Sequence, residues 1–135
     1  MANALYGKGK EKFLSGAINL VSDTIKLALV SSAYSPTMAS DEFFSTISAY
    51  VLNTPQTLGA KTVTLGVFDN TVDPTFTAVS AGSTAKAVVI YKDTGVVGTS
   101  PLIAYIDTIT GFPLATNGGD IQIVFDSGAY KIFSL

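Results

Sequence analysis

The chain contains no cysteine, histidine, tryptophan or arginine, and each absence removes a class of chemistry. Without thiols there is neither a disulfide framework nor a thiolate metal site, and no redox compartment can be inferred. Ser-His-Asp and Cys-His nucleophiles are excluded, and zinc loses its preferred ligands. Charge is scarce as well: 13% of residues are charged, about half the ~25% usual in a soluble globular domain. Eight lysines against ten acids leave a net charge of −2. That balance gives no basic field for a phosphate backbone, so nucleic acid is not an expected partner. Long hydrophobic runs are also missing. Stretches such as Ala87 to Tyr91 fall far short of the ~20 residues that cross a bilayer, and no membrane partner is expected. The N-terminus lacks the continuous apolar core of a secretory signal, so synthesis and folding in the cytoplasm are expected.

What remains is apolar and patterned. Hydrophobic residues make up 47% of the chain, and mean hydropathy is +0.43. A chain of 135 residues is one ordinary domain that can bury roughly 70% of the surface its unfolded form exposes. Period-two alternation predicts half-buried strands: Ile25, Leu27 and Leu29 alternate with Lys26 and Ala28, and Val63, Leu65 and Val67 with Thr62, Thr64 and Gly66. Further strands are predicted over Pro74–Val79, Thr84–Lys92, Pro101–Asp107, Ile121–Asp126 and Tyr130–Leu135, which are rich in β-branched and aromatic residues. Turn chemistry separates them at Asp69-Asn70, Ala81-Gly82-Ser83, Asp93-Thr94-Gly95, Asn117 to Asp120 and Asp126-Ser127-Gly128. Two short helices are expected. One runs from Lys8 to Ser15 and is closed by Gly16; the other begins at Ser40 as N-cap, with Asp41 and Glu42 in its first turn, and buries Phe43 with Ile47. The expectation is an all-β (mainly) single domain over residues 1–135, a β-sandwich or jelly roll, with residues 1–16 as an N-terminal arm or helix.

Few residues could carry catalysis. Asp93-Thr94-Gly95 resembles the active-site loop of an aspartic protease, which needs two carboxylates sharing a proton. Lys92 before it and Val96-Val97 after it do not fit that loop, and a hairpin turn explains the tripeptide. Asp69, Asn70 and Asp73 could offer oxygens to calcium, but without EF-hand spacing an Asx turn is the simpler reading. Carboxylates paired across about 5–10 Å could hydrolyse glycosides, yet most acids here sit beside turn residues. No phosphate-binding loop is present, since Gly7-Lys8-Gly9-Lys10 lacks the spacing and the preceding strand. A carbohydrate-binding module could use the six Tyr and eight Phe as a platform. Phe43, Phe76, Phe125 and Phe133 lie in apolar context, however, which favours core packing. No enzyme, cofactor or metal is expected.

Several blocks together resemble a family of small structural proteins of tailed-bacteriophage virions. They are Leu5-Tyr6-Gly7-Lys8-Gly9, Glu11 to Gly16, Ser22 to Val30, Gly66-Val67, Ala87 to Gly95, Leu102 to Asp107, Gly118 to Ile121 and Ile132 to Leu135. Leu20 departs from the pattern, where a bulkier aromatic is expected. The resemblance implies a virion component on the capsid surface, most of all a capsid decoration (cement) protein that binds the major capsid protein or another virion protein. The alternative is a tail- or head-fibre subunit or a carbohydrate-binding receptor module. It further implies a homotrimer, because decoration proteins often sit at local threefold positions. The charge-poor composition agrees with a surface that loses area to neighbours. The partner contact is expected on the N-terminal segment, where Lys8, Lys10 and Lys12 cluster beside Leu5, Tyr6, Phe13 and Leu14, with Gly7 and Gly9 keeping the arm adaptable.

Overall fold

The computed structural model describes residues 4–59, 61–70, 73–109, 111–124 and 132–134. These form eleven strands, one α-helix and two short 3-10 turns. In chain order the first elements are β1 (Ala4–Leu5), α1 (Gly7–Leu14), β2 (Ile25–Ser31) and β3 (Gln56–Thr57). Next come β4 (Lys61–Thr64), β5 (Val67–Asn70), β6 (Thr75–Phe76), β7 (Thr84–Lys92) and β8 (Leu102–Ile106). The last are β9 (Leu114–Ala115), β10 (Ile121–Gln122) and β11 (Phe133–Ser134). Every pairing is antiparallel. The chain is therefore mainly β, as its alternation predicts.

A central sheet in the order β1-β8-β7-β2-β3 organises the molecule, with β9 pairing the start of β7. Along β2, Ile25, Leu27 and Leu29 point to one face while Ala28 and Val30 point to the other. On the first face they meet Val88 and Ile90 of β7 and Ile106 of β8, and this layer packs against Phe68, Phe76 and Ile121 from the smaller sheets β11-β5-β4 and β10-β6 and against Ile123 just after β10. Two layers of strands thus share one core. On the second face, Ala87, Val89 and Tyr91 of β7 and Leu102 and Tyr105 of β8 are roofed by Tyr6, Tyr34 and Ile47. The near-continuous apolar run of β7 follows from this, because a strand covered on both faces has no polar side to show. It also corrects the half-buried reading of β2. Ala28 and Val30 are fully buried, and only Lys26 and Ser31 remain partly exposed. Much of the apolar excess is consequently used inside one chain, and the exposed area of 6623 Å² is close to the ~6,700 Å² expected of a monomer this size.

The Val63-Leu65-Val67 alternation does not make one strand. β4 and β5 form a hairpin joined by Leu65 and Gly66, at φ 51° and 79°. Two successive positive φ values define the turn whose twist suits a two-residue hairpin. Leucine is poorly suited to that conformation, which costs a side chain with a Cβ roughly 1–2 kcal/mol, and Leu65 is 99% exposed. Leu65→Asn, restoring the Asn-Gly turn, should therefore stabilise the fold by about 1 kcal/mol, measured as a shift of the urea midpoint with an unchanged slope. Asp69 and Asn70, read as a turn, lie in β5 instead.

No helix starts at Ser40. The Asp41 carboxylate accepts from the Thr37 N–H at 2.9 Å and the Tyr34 hydroxyl at 2.8 Å, so it closes the preceding turn. Phe43 is extended and bridges to Pro101, and only the 3-10 turns Phe44–Thr46 and Ser48–Tyr50 follow. Ile47 is buried as expected, but Phe43 is only partly so. The segment Pro74–Val79 keeps two strand residues, Thr75 and Phe76, because Ala78 turns the chain at φ 51°. Within Ile121–Asp126 and Tyr130–Leu135 the structure describes the short strands β10 and β11. Phe125, Asp126, Tyr130, Lys131 and Leu135, with the Asp126-Ser127-Gly128 turn, lie outside the described residues.

Candidate interaction surface around the N-terminal helix

The expected contact segment is docked onto the sheet rather than hanging free as an arm. β1 pairs with β8 in the register Ala4↔Tyr105 and Leu5↔Ala104, and the next two N–H groups continue the attachment: Tyr6 donates to the Ile103 carbonyl at 2.9 Å and Gly7 to the Met38 carbonyl at 2.7 Å. Gly9 is buried against the backbone of β8, where a Cβ would lie 2.6 Å from the Leu102 carbonyl oxygen. Gly7 and Gly9 therefore permit close approach, which corrects the reading of both as sources of flexibility. α1 ends where Gly16, at φ 80°, donates to the Phe13 carbonyl and Ala17 donates to the Lys12 carbonyl at 2.8 Å. That paired pattern at a left-handed glycine satisfies the last carbonyls of the helix.

The six expected contact residues divide accordingly. Tyr6 is fully buried, so it cannot be a contact residue on this surface. Its hydroxyl lies 2.7 Å from that of Tyr34, which donates to Asp41, so the Tyr6 proton must point to the Tyr34 oxygen. Burial pushes both phenols well above the ordinary tyrosine value; in Tyr6 the bond to Tyr34 partly offsets it, and in Tyr34 the Tyr6 contact adds to it. Leu5 and Phe13 are partly buried and pack on the core. Lys12 is tied to Glu42 at 2.7 Å and lies over the Phe43 ring, 5.1 Å from its centroid. The bond from Lys12 holds the Glu42 carboxyl below its usual range. Lys8 pairs loosely with Glu11 at 3.3 Å, and Lys10 is exposed. Leu14, at the free end of α1, is 91% exposed. The outward surface thus consists of Lys8, Lys10, Glu11 and Leu14 on a helix fixed from below. Sequence reasoning missed the second half of the seat, Tyr34, Met38, Asp41 and Glu42, which comes from a distant loop with no local signal.

The residues weighed for catalysis have structural partners. The Oδ1 of Asp93 accepts from the Gly95 N–H at 2.9 Å and its Oδ2 lies 2.8 Å from Lys26 Nζ, so its carboxyl is held below the usual range by Lys26 first and the Gly95 N–H second. Thr94 bonds to Thr99 and Ser100, which closes the 93–100 loop on itself. Asp69 and Asn70 are neighbours on a strand, so their side chains point to opposite faces and do not converge on a cation. Among the described residues no group of three His, Cys, Asp or Glu gathers at one point. Asp23 accepts from Asn19 N–H at 2.8 Å and from Lys92 at 3.2 Å, and these overcome the opposing effect of burial to keep its pKa low.

Phe68 and Phe76 belong to the core, and Tyr91 and Tyr105 to the second layer. An open depression of about 530 Å³ between the ends of β2, β7 and β9 is lined by Ser31, Ser32, Ser83, Thr84 and Thr116 among others, and none of its described lining residues is aromatic. A sugar would find hydroxyls there but no stacking surface. No described helix is long and apolar enough to cross a membrane. No family model matches the chain, and no significant match was found among curated proteins or solved structures.

Proposed function

We propose that this chain is a non-enzymatic structural protein of a bacteriophage virion, a capsid decoration protein that binds the outer face of the shell and stabilises its lattice. The observation that carries this reading is α1, fixed on the sheet by β1, Gly9 and the Lys12–Glu42 pair while presenting Lys8, Lys10, Glu11 and Leu14 outward. A rigid, preformed footprint loses little ordering entropy on binding. The sequence blocks that resemble virion proteins supply the identity of the surface bound, and several weak footprints in a closed oligomer, a trimer by the same resemblance, act as one strong attachment.

The footprint is tested with Lys10→Glu and Leu14→Asp combined, two exposed changes that leave the seat of α1 untouched. Affinity for capsids of the encoding phage should fall by about tenfold or more, the equivalent of ~1.4 kcal/mol, while thermal unfolding stays within about 0.5 kcal/mol of the wild type. Undiminished binding by the double variant would place the contact elsewhere. Binding of a glycan instead of capsids would favour a receptor-binding module.

A further inference from the structure

β4 is the outer strand of the β11-β5-β4 sheet, and among the described residues no strand pairs with its other side. Because the β4–β5 connection is the two-residue turn Leu65–Gly66, the flanking residues Thr64 and Val67 exchange both backbone hydrogen bonds. This fixes the direction of every backbone group along the strand. Thr62 and Thr64 direct theirs toward β5, whereas Lys61 and Val63 direct theirs to the open side. Phe68, opposite Val63, turns its carbonyl the other way and accepts from the Ile132 N–H at 3.2 Å. Natural edge strands are usually blunted by proline, a bulge or an outward charge. β4 has no proline and pairs without a register shift, and its one charged side chain, Lys61, reaches back to the Asp23 carbonyl. Thr62, Val63 and Thr64 are all exposed.

We propose that β4 pairs with β4 of a second copy of this chain, antiparallel, about a two-fold axis at Thr62. Register follows from the outward groups. An axis at Lys61 would set two like charges opposite each other, and one at Val63 would pair a single strand residue with itself. With the axis at Thr62, Lys61 of each copy meets Val63 of the other, giving about four backbone hydrogen bonds. The two Thr62 side chains then meet on the solvent face as a favourable Thr–Thr pair. The contact is small beside the ~1,200–2,000 Å² of a stable interface. Pairing is therefore concentration-dependent in solution and tightens where copies are held side by side. It uses a different element from the α1 footprint and joins copies in twos rather than threes, so it stands or falls apart from capsid binding.

The chain has no cysteine, so Thr62→Cys introduces a single thiol on the proposed axis. Residues directly opposite at such a position have Cα atoms about 4.5 Å apart, within reach of a disulfide. Under mild oxidation T62C should form a disulfide-linked pair at least about tenfold faster than Leu14→Cys, because pairing raises the local thiol concentration. Leu14, 91% exposed, serves as the freely colliding reference. Adding Val63→Pro removes only an outward N–H, which an edge strand tolerates, and should return the rate to the reference with an unchanged circular dichroism spectrum. Val63→Lys, which sets lysine against Lys61 of the other copy, should do the same should the proline variant not fold. Equal rates for T62C and L14C, or a T62C rate unaffected by the Val63 change in folded protein, would overturn the pairing.

Discussion

Gly9→Ala should lower stability by about 2–4 kcal/mol, the range for an overpacked site with no room to relax. The added Cβ would lie 2.6 Å from the Leu102 oxygen and 3.3 Å from both the Cα and the oxygen of Ile103. All three atoms are backbone and cannot swing aside as a side chain would. Nearby bonds hold them: the Ile103 carbonyl accepts from Tyr6, and the Leu102 N–H donates to the Glu42 carbonyl at 2.8 Å. Alanine gains up to about 1 kcal/mol over glycine inside a helix, which is too little to offset the clash. Gly98 is the control, since its Cβ position is open and its φ is not in the left-handed region. Gly98→Ala should be neutral or slightly stabilising, by up to about 1 kcal/mol. Chemical denaturation of both variants checks the pair; equal effects would mean that α1 is not seated on β8 as described.

Raising the pH above 10 should unfold the protein cooperatively. Burial lifts the phenols of Tyr6, Tyr34, Tyr91 and Tyr105 above the ordinary tyrosine value, Tyr91 to about 12, with nearby acids adding to the shift in Tyr91 and Tyr105. Below pH 10 both folded and unfolded chains keep these protons, and the stabilising contribution is fully present. Above it the unfolded chain releases protons that the folded chain retains, so stability falls with rising pH until each folded pKa is passed. Each group contributes a slope of about 1.4 kcal/mol per pH unit. Several such groups acting together are enough to remove the lower part of a typical stability of about 5–15 kcal/mol. Tyrosinate absorbance and loss of the β circular dichroism signal should rise together in one transition. Tyrosine ionisation centred near pH 10 with the fold intact would contradict the burial of this layer. Tyr34→Phe should make the transition less steep, and at neutral pH it should cost about 1–3 kcal/mol by leaving the Tyr6 hydroxyl and Asp41 without their shared partner.

These two results bear on the parts of the molecule that were hardest to read from sequence. Thr84–Lys92 was legible because its signal is local: a run of β-branched and apolar residues bounded by turn residues matches β7 end to end. The first helix was legible for the same reason, with Gly16 marking its end. The hairpin was not, since Val63, Leu65 and Val67 keep strand periodicity straight through a turn. Only the glycine after Leu65 hinted that the chain reverses there. Asp41 has the residue type of a helix start, but its carboxylate is captured by Tyr34 and Thr37, and the competing turn wins. Glycine is the sharpest case, because Gly9 reads locally as freedom and only the arrival of β8 turns it into close contact. The candidate surface was half legible for the same reason. Lys10 is exposed and Lys8 partly so, whereas Tyr6, expected at the same contact, is buried by residues far along the chain.

The charge-poor composition now has two contributors. Both faces of the central sheet are covered within one chain, which accounts for part of the apolar excess without any neighbour. Exposed apolar side chains remain, among them Leu14, Val63, Leu65, Val96 and Val97. They are spread over α1, the β4–β5 hairpin and the 93–100 loop rather than gathered on one element. Scattered in this way, they offer several small contact points rather than one continuous apolar interface.

Co-sedimentation of the purified protein with assembled bacteriophage capsids that lack it tests the proposed decoration role most directly. The account predicts saturable binding at a fixed ratio of protein to capsid subunits, with bound shells resisting heat better than bare ones. Protein that stays in the supernatant at every concentration, with the shells no more stable for its presence, would contradict it.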